Sequence, residues 1–433
     1  MSMYAETSIV LAVMVVVFAL CSWKLKSPEI SMVITAIAGA FAGKLGFPVR
    51  LLVEGTFTYF DVGLIFVTAS IFVNLYSDTG AMNALVRKMV DRFYDTKWVL
   101  FSILAVIMLI PGALTGAGSV SMFVVGGMIA TVLHYMGITS VKTTAFIYVT
   151  SMLAAVAPPI NLWAMLMAAQ ANMPYVGFTI PLLVPILFIT AFAVIFLLRG
   201  GTPQPKAKVL SELPPIVDGM NWFRIIFPMG TFLVIVLLSK YAAFNMPTVG
   251  LPLNFLICGG ISILCDPQKK PFSHWYEVLV NTIEQVFPLL ATVISVGVLV
   301  NIMTATGVRG LIAITFVTLP VTFIYLTAIF FLPMAQGSLS YGSAIILGTP
   351  LIFLFNSIGF NVTIVAAALS LIFPLGDCMP PSRISGRVAI EVSGYEGSYM
   401  SFLRAIAIPA LFMGITALII LMNANFFSFL VMR

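Results

Sequence analysis

The sequence predicts an all-α integral membrane protein made of two inverted-topology repeats, each with a re-entrant helical hairpin and a broken transmembrane helix. Three observations carry that expectation. Of 433 residues, 61% are hydrophobic and only 8% are charged, whereas a soluble domain is about 45–50% apolar and about 25% charged. Several apolar stretches reach the roughly 18 residues that a membrane span needs. Proline and glycine interrupt some of these stretches, and they do so twice, at a fixed separation.

Apolar runs between charges and turn residues place the spans. The first, 6–23, contains an apolar run, 9–22, with no basic residue before it and no small-residue cleavage site after it. It therefore reads as a retained span, not a cleaved signal. Spans at 29–43 and 57–77 follow. The stretch 98–134 is interrupted by Pro111-Gly112 and the small residues up to Ser119. The next span, 142–171, is broken by Pro158-Pro159, and 178–199 is continuous. A polar linker, 200–222, separates a first repeat, 1–199, from a second, 223–433. In the second, spans at 223–242, 248–265 and 284–305 precede an interrupted stretch, 310–355. A broken span, 362–393, with Pro380-Pro381 and a last span, 402–424, complete the chain.

The net charge of +6 sits mostly in short loops, where basic residues set orientation and need no nucleic-acid partner. Lys24, Lys26, Arg87, Lys88, Arg92 and Lys97 follow spans one and three, against Lys44 and Arg50 after span two. The basic side is expected to be cytoplasmic, so the N-terminus lies outside a bacterial inner membrane. If both interrupted stretches turn back as hairpins, Lys142, Arg199, Lys206, Lys208, Arg224, Lys269, Lys270 and Arg404 also fall inside. Lys240 and Arg309 then run against the trend.

Pro111 and Pro333 are 222 positions apart. The same offset relates Ala113 to Ala335, Ser121 to Ser343, Gly126 to Gly348, Gly137 to Gly359, Ala145 to Ala367, Leu153 to Leu375, and both prolines of each pair. Upstream, Val73-Asn74 with Thr79-Gly80 echoes Val300-Asn301 with Thr306-Gly307 at offset 227. An odd number of crossings separates the copies, which inverts one relative to the other. Inverted copies with interrupted helices at matching places point to a transporter binding site at the midplane.

Irregular backbone in hydrocarbon survives only where it is buried or lines a cavity. Each proline pair ends one half-helix and can begin another. Carbonyls around 154–157 and 375–379 can then face a cation, and amides around Ile160-Asn161 and Ser382-Arg383 an anion. The dipole supplies about 0.3–1 kcal/mol exposed and about 2 kcal/mol part-buried, too little for selectivity alone. The hairpin tips add Thr115, Ser119 and Ser121, and Gln336, Ser338, Ser340 and Ser343. Tight helix packing, with serines bonding back to their own helix, is the plainer use of such residues. Ionisable groups within spans cost about 2.5–3.5 kcal/mol at bilayer centre, which singles out Asp377 and Arg383. Arg383 is expected to bind a substrate carboxylate, with Asp377 orienting it or helping to bind a cation. A self-neutralising Asp377–Arg383 pair is the alternative. Asn74 and Asn301 read as packing residues. The four cysteines lack metal spacing, and His134 and His274 stand alone. No zinc motif or nucleophile elbow suggests an enzyme. A channel would rather build its filter from a ring of subunits.

The tip Thr115-Gly116-Ala117-Gly118-Ser119-Val120-Ser121, the segment Leu153-Ala154-Ala155-Val156-Ala157-Pro158-Pro159-Ile160 and the segment Gly376-Asp377-Cys378-Met379-Pro380-Pro381-Ser382 resemble the ion transporter superfamily. Within it they resemble the large membrane (permease) subunit of TRAP transporters, as does the tail from Val392-Ser393-Gly394-Tyr395 to Pro409. The resemblance implies an elevator-type carrier, a symporter of C4-dicarboxylates or related organic acids. It implies Na⁺ as coupling ion, with H⁺ left open, and no other cofactor. The ion would rest mainly on backbone carbonyls of Thr115, Gly116, Gly118, Ala155, Pro158, Gly337, Ser338, Gly376 and Pro380. Ser119, Ser121, Asn161, Ser340, Ser343, Ser382, Asp377 and Arg383 would meet the substrate. A small membrane subunit and an extracytoplasmic binding protein are the implied partners. Two departures bear on partners and substrate and make a stand-alone carrier of the same superfamily the near alternative: Pro247-Thr248-Val249-Gly250-Leu251-Pro252 lacks the usual Thr-Glu-Ala run, and Arg383 is not in the usual pattern.

Overall fold

The computed structural model describes residues 3–241, 249–379 and 383–431. All regular structure among them is helical, and nine of the described helices are long and apolar enough to cross a membrane. That is the composition an integral membrane protein requires, since each helix satisfies its own backbone in hydrocarbon.

Helices α1 (Met3–Leu25) and α2 (Pro28–Ala42) pack together. Ser27 caps α2 by accepting the Ile30 amide, with Pro28 at the first helical position. Short α3 (Val49–Phe57) leads to α4 (Phe60–Asp78). After Gly80, whose φ of 81° a side chain would strain, α5 (Ala81–Phe93) begins.

The stretch read as the first hairpin is α6 (Lys97–Thr115), then α7 (Gly118–Ser121), a π turn (Met122–Gly126) and α8 (Gly127–Tyr135). Its two ends meet the same segment of the linker. Tyr94 donates to the Gln204 carbonyl at 2.7 Å, and the Gln204 amide donates to the Tyr135 carbonyl at 2.9 Å. The chain therefore enters and leaves this hairpin at one end of the bundle.

The first broken helix is α9 (Ser140–Ala155) and α10 (Leu162–Gln170), followed by α11 (Thr179–Leu197). The linker carries α12 (Lys206–Glu212), held by the Lys206–Asp91 ion pair (2.8 Å) and by Arg87 on the Leu213 carbonyl (2.7 Å). Next come α13 (Trp222–Tyr241), α14 (Leu251–Leu264), α15 (Phe272–Ala305) and α16 (Val308–Thr318).

The second hairpin is α17 (Val321–Leu339), a π turn (Ala344–Gly348) and α18 (Thr349–Ser357). Tyr325 stacks on Phe355 at its open end, with ring centroids 5.7 Å apart. Then α19 (Val362–Ile372) runs into a 3₁₀ turn (Phe373–Gly376), and α20 (Ile384–Ser393) and α21 (Tyr399–Met422) follow.

Two boundaries differ from the sequence reading. The expected hairpin 310–355 starts at Val321; α16 is a separate helix that packs on α18 as well as on α1 and α15. Pro320 is the reason, because it holds Leu319 extended (ψ 142°) and ends α16. The expected span 284–305 begins twelve residues earlier, at Phe272, since the charged first turns of α15 hide its helical period from a search for apolar runs.

Helices α2, α3 and α4 pack on α15, α4 packs on α14, and α14 on α13. The hairpins and broken helices, with α11 and α21, pack on one another as a second group. In the first group Gly55 and Gly297 let two backbones touch: a Cβ on Gly55 would lie 2.6 Å from Val298 Cα, and one on Gly297 would overlap the Gly55 carbonyl. Gly297→Val is expected to destabilise the protein by about 1–3 kcal/mol, read as a lower unfolding temperature in detergent. An unchanged transition would contradict this close approach.

Candidate functional site

The two halves of the chain meet through buried polar side chains at the helix breaks. At the first break, Asn161 caps α10 by accepting the Ala164 amide at 3.0 Å. Its own amide donates to the Val156 carbonyl (3.1 Å) and to Ser370 Oγ (2.8 Å) in α19. Two residues on, Trp163 Nε1 donates to Gln336 Oε1 at 3.0 Å in α17. Trp163 is wholly buried and Gln336 is 2% exposed.

Gln336 is the hub of this site. Its oxygen also accepts from Ser343 Oγ at 2.6 Å, and its Nε2 donates to Asp377 Oδ1 at 2.9 Å. Two donors on the oxygen and one acceptor at the nitrogen fix which way the amide faces. The Trp163 and Tyr341 rings lie together, centroids 4.6 Å apart, behind it. Gly376 lies so close to the Pro333 carbonyl that a Cβ would overlap it, so the second break packs directly on the second hairpin.

The first tip is closed from within. Ser121 Oγ accepts the Gly112 amide at 2.7 Å; Pro111 has no N–H, and Ser121 helps satisfy the backbone around it. Thr115 Oγ1 donates to the Pro111 carbonyl at 2.9 Å, and the Ile160 amide donates to the Ala113 carbonyl at 3.1 Å. Gly118 allows the Ser151 carbonyl to come where a Cβ would lie, 2.5 Å away. Hairpin tip and helix break are thus one packed unit.

Several residues expected to meet a ligand make hydrogen bonds inside the protein. Ser121, wholly buried, is a hairpin clasp, and Asn161 is a cap and cross-link. Ser343 Oγ, which has one proton to give, also lies 2.8 Å from the Ser340 carbonyl as an alternative acceptor, and Ser338 bonds back to the Met334 carbonyl at 3.3 Å. Ser119 is partly exposed; its carbonyl accepts the Met122 amide, and its hydroxyl has no hydrogen-bond partner among the described residues. Ser340 turns the second tip at φ 50°. Among the carbonyls proposed for the cation, that of Gly376 accepts the Met379 amide at 2.9 Å. Gly116 turns the first tip at φ 70°, Gly337 and Ala155 are buried, and Pro158 is partly exposed. Pro380, Pro381 and Ser382 lie outside the described residues. Among those described, no group of three His, Cys, Asp or Glu side chains is placed to hold a metal ion; oxygen-only cation binding by carbonyls needs no such group.

Asp377 and Arg383 do not neutralise each other: no ion pair joins them among the described residues. The Arg383 guanidinium lies over the Tyr399 ring, 5.4 Å from its centroid. Tyr399 in turn donates to the Cys378 carbonyl at 2.6 Å. Sequence reasoning passed over Trp163, Ser370 and Tyr399, and named Gln336 only as a tip residue. A tryptophan four residues past Pro159 was the one available signal.

A separate polar contact joins the two packing groups. Tyr59 OH is 2.5 Å from the Gln170 amide at the end of α10, and Arg309 donates to the Gln170 carbonyl at 3.0 Å. Arg309, one of the two basic residues expected to run against the loop-charge trend, thus has a packing role. Asn74 donates to Thr282 (3.0 Å) and Gln285 (3.1 Å), and Asn301 to the Leu51 carbonyl (2.6 Å), as packing residues do.

No family model matches the sequence, and no curated protein matches it either. Solved structures do. The YdaH transporter of Alcanivorax borkumensis, described as having an unusual topology, superposes with a TM-score of 0.63 over 87% of this chain and 88% of its own, at 12% identity. MtrF of Neisseria gonorrhoeae, described as illuminating a class of antimetabolite efflux pumps, gives 0.60 over 86% and 83%, at 11% identity. The chain shares their fold. The expected TRAP permease is not among these two neighbours, so the likeness supports the coarser statement of fold.

Proposed function

We propose that the chain is a secondary active transporter that moves a small organic anion across a bacterial inner membrane, driven by Na⁺ or H⁺. The observation that carries this reading is the Trp163–Gln336–Asp377 chain of hydrogen bonds (3.0 and 2.9 Å), which joins the first broken helix to the second hairpin and second break. A polar network inside an apolar bundle, beside interrupted helices, is how a carrier holds a polar solute in lipid.

The copies are read as inverted repeats. In support, the π turns Met122–Gly126 and Ala344–Gly348 stand 222 residues apart, and the left-handed glycines Gly80 and Gly307, each opening a helix, stand 227 apart. The hairpins and broken helices would move as one body against α1–α4 and α13–α16. The polar contact of Tyr59 and Arg309 with Gln170 would be broken and remade in each cycle. The loop charges put the N-terminus outside. Two half-sites within one chain favour a carrier over a channel.

The motifs at the tips and breaks favour the large permease subunit of a TRAP-type system. Arg383 and the missing Thr-Glu-Ala run favour a stand-alone carrier, and the efflux role of MtrF leaves export to be tested beside uptake. In proteoliposomes, Arg383→Ala is expected to reduce carboxylate transport at least tenfold, chiefly through KM, with partial recovery in Arg383→Lys. Transport at the normal rate by Arg383→Ala would end the substrate role of Arg383.

A further inference from the structure

We propose that the transported molecule carries an ammonium group as well as a carboxylate, with Asp377 receiving the first and Arg383 the second. This rests on the carrier reading above and narrows its substrate class.

The two breaks occupy corresponding places but differ in one respect. At offset 222, Asp377 stands where the first copy has Ala155, and Arg383 where it has Asn161. The first break is neutral and satisfied internally: Ala155 is buried, and Asn161 spends its amide on Ala164, Val156 and Ser370. The second break puts a negative and a positive side chain at those same positions. Neither is consumed by the other.

Asp377 has one hydrogen-bonding partner among the described residues, the Gln336 amide on Oδ1. A carboxylate offers about four acceptor sites, and its second oxygen has no partner among the described residues. Gln336 cannot turn away, because Trp163 and Ser343 both donate to its oxygen. Tyr148 and Tyr341 lie within electrostatic range of the carboxylate, yet no Lys, Arg or His pairs with it among the described residues. The Asp377 side chain is nonetheless only partly covered.

Arg383 is also partly exposed, propped on Tyr399, whose hydroxyl holds the Cys378 carbonyl next to Asp377. A guanidinium presented this way suits a carboxylate. A simple dianion would meet attraction at Arg383 and repulsion at Asp377. A molecule with charges of both signs would match both. A carboxylate within an apolar bundle and without a counter-charge is costly, and a substrate ammonium group removes that cost at Asp377 only while it is bound.

The test is binding to the purified full-length chain, using matched pairs that differ in the amino group: L-glutamate with glutarate, L-aspartate with succinate, and 4-aminobutyrate with butyrate. The expected result is at least tenfold tighter binding of the amino member of one or more pairs. Asp377→Asn should bring that ratio close to one, and Arg383→Ala should weaken both members together. Tighter binding of the deaminated members by the wild type would overturn the proposal and leave the organic-anion carrier intact. So would an unchanged ratio in Asp377→Asn. The wild-type ratio decides even if that variant does not fold. Binding of no carboxylate from any pair would overturn the carrier's substrate class, and this proposal with it.

Discussion

Gly376→Ala is expected to abolish transport and to lower the thermal stability of the protein in detergent. The added methyl would overlap the Pro333 carbonyl, with Gln336 Cβ only 2.9 Å away. Both neighbours are held by backbone, and neither is the loose end of a flexible side chain. Relief requires the second break to move off α17, which draws Asp377 away from Gln336. Overpacking of this kind costs about 1–3 kcal/mol in a well-packed core, and here it also strips a hydrogen bond from a carboxylate. Gly260→Ala in α14 is the control: a methyl there meets nothing within 4 Å, and alanine favours a helix by about 1 kcal/mol over glycine. Light-scattering melts and proteoliposome uptake of both variants separate the two effects. A Gly376→Ala protein with normal stability and transport would remove the close packing on which the second half-site depends.

Gln336→Leu is the second change with a large expected effect. Leucine is similar in size, so packing around it changes little. It takes away the acceptor for Trp163 Nε1 and Ser343 Oγ and the donor to Asp377 Oδ1. Ser343 keeps the Ser340 carbonyl, but Trp163 and Asp377 lose the contacts the structure gives them. Each orphaned buried group costs about 1–3 kcal/mol, and a charged one more. Transport is expected to fall at least a hundredfold, with a lower unfolding temperature. Gln336→Glu should transport equally poorly but for a different reason, because a second carboxylate would face Asp377. Transport within threefold of normal in Gln336→Leu would show that the network is not needed.

Much of this architecture was legible because membrane helices are read from length and hydropathy, and breaks from proline. The break at Pro158-Pro159 falls where the sequence placed it, but Pro111 and Pro333 lie inside α6 and α17, and the chain turns only at Gly116 and Ser340. The short helices α3, α5 and α12 were not legible, since each is too polar or too short to stand out as an apolar run. The start of the second hairpin was misplaced because α16 and α17 are both apolar and only Pro320 parts them. The site itself was less legible. Sequence reasoning weighed Ser121 and Asn161 as ligands because small polar residues at a break suit that role. Whether they are free depends on partners far along the chain, such as Ser370 for Asn161. Gln336 gains its importance from Trp163, 173 positions away, and no local pattern records that pairing. Arg309, expected to run against the loop charges, donates to the Gln170 carbonyl, a packing contact that no local pattern records.

Solute counterflow in proteoliposomes tests the carrier claim most directly. Vesicles holding the purified chain are loaded with an excess of unlabelled substrate found in the binding screen and diluted into a trace of the same labelled compound. A carrier that reorients one loaded site accumulates label transiently above its external concentration. It does so without an imposed ion gradient, and the accumulation vanishes in Gln336→Leu. Label that only equilibrates, together with an anion current that does not saturate, would mean an open pathway through the protein and would contradict a site held between two opposed helix breaks.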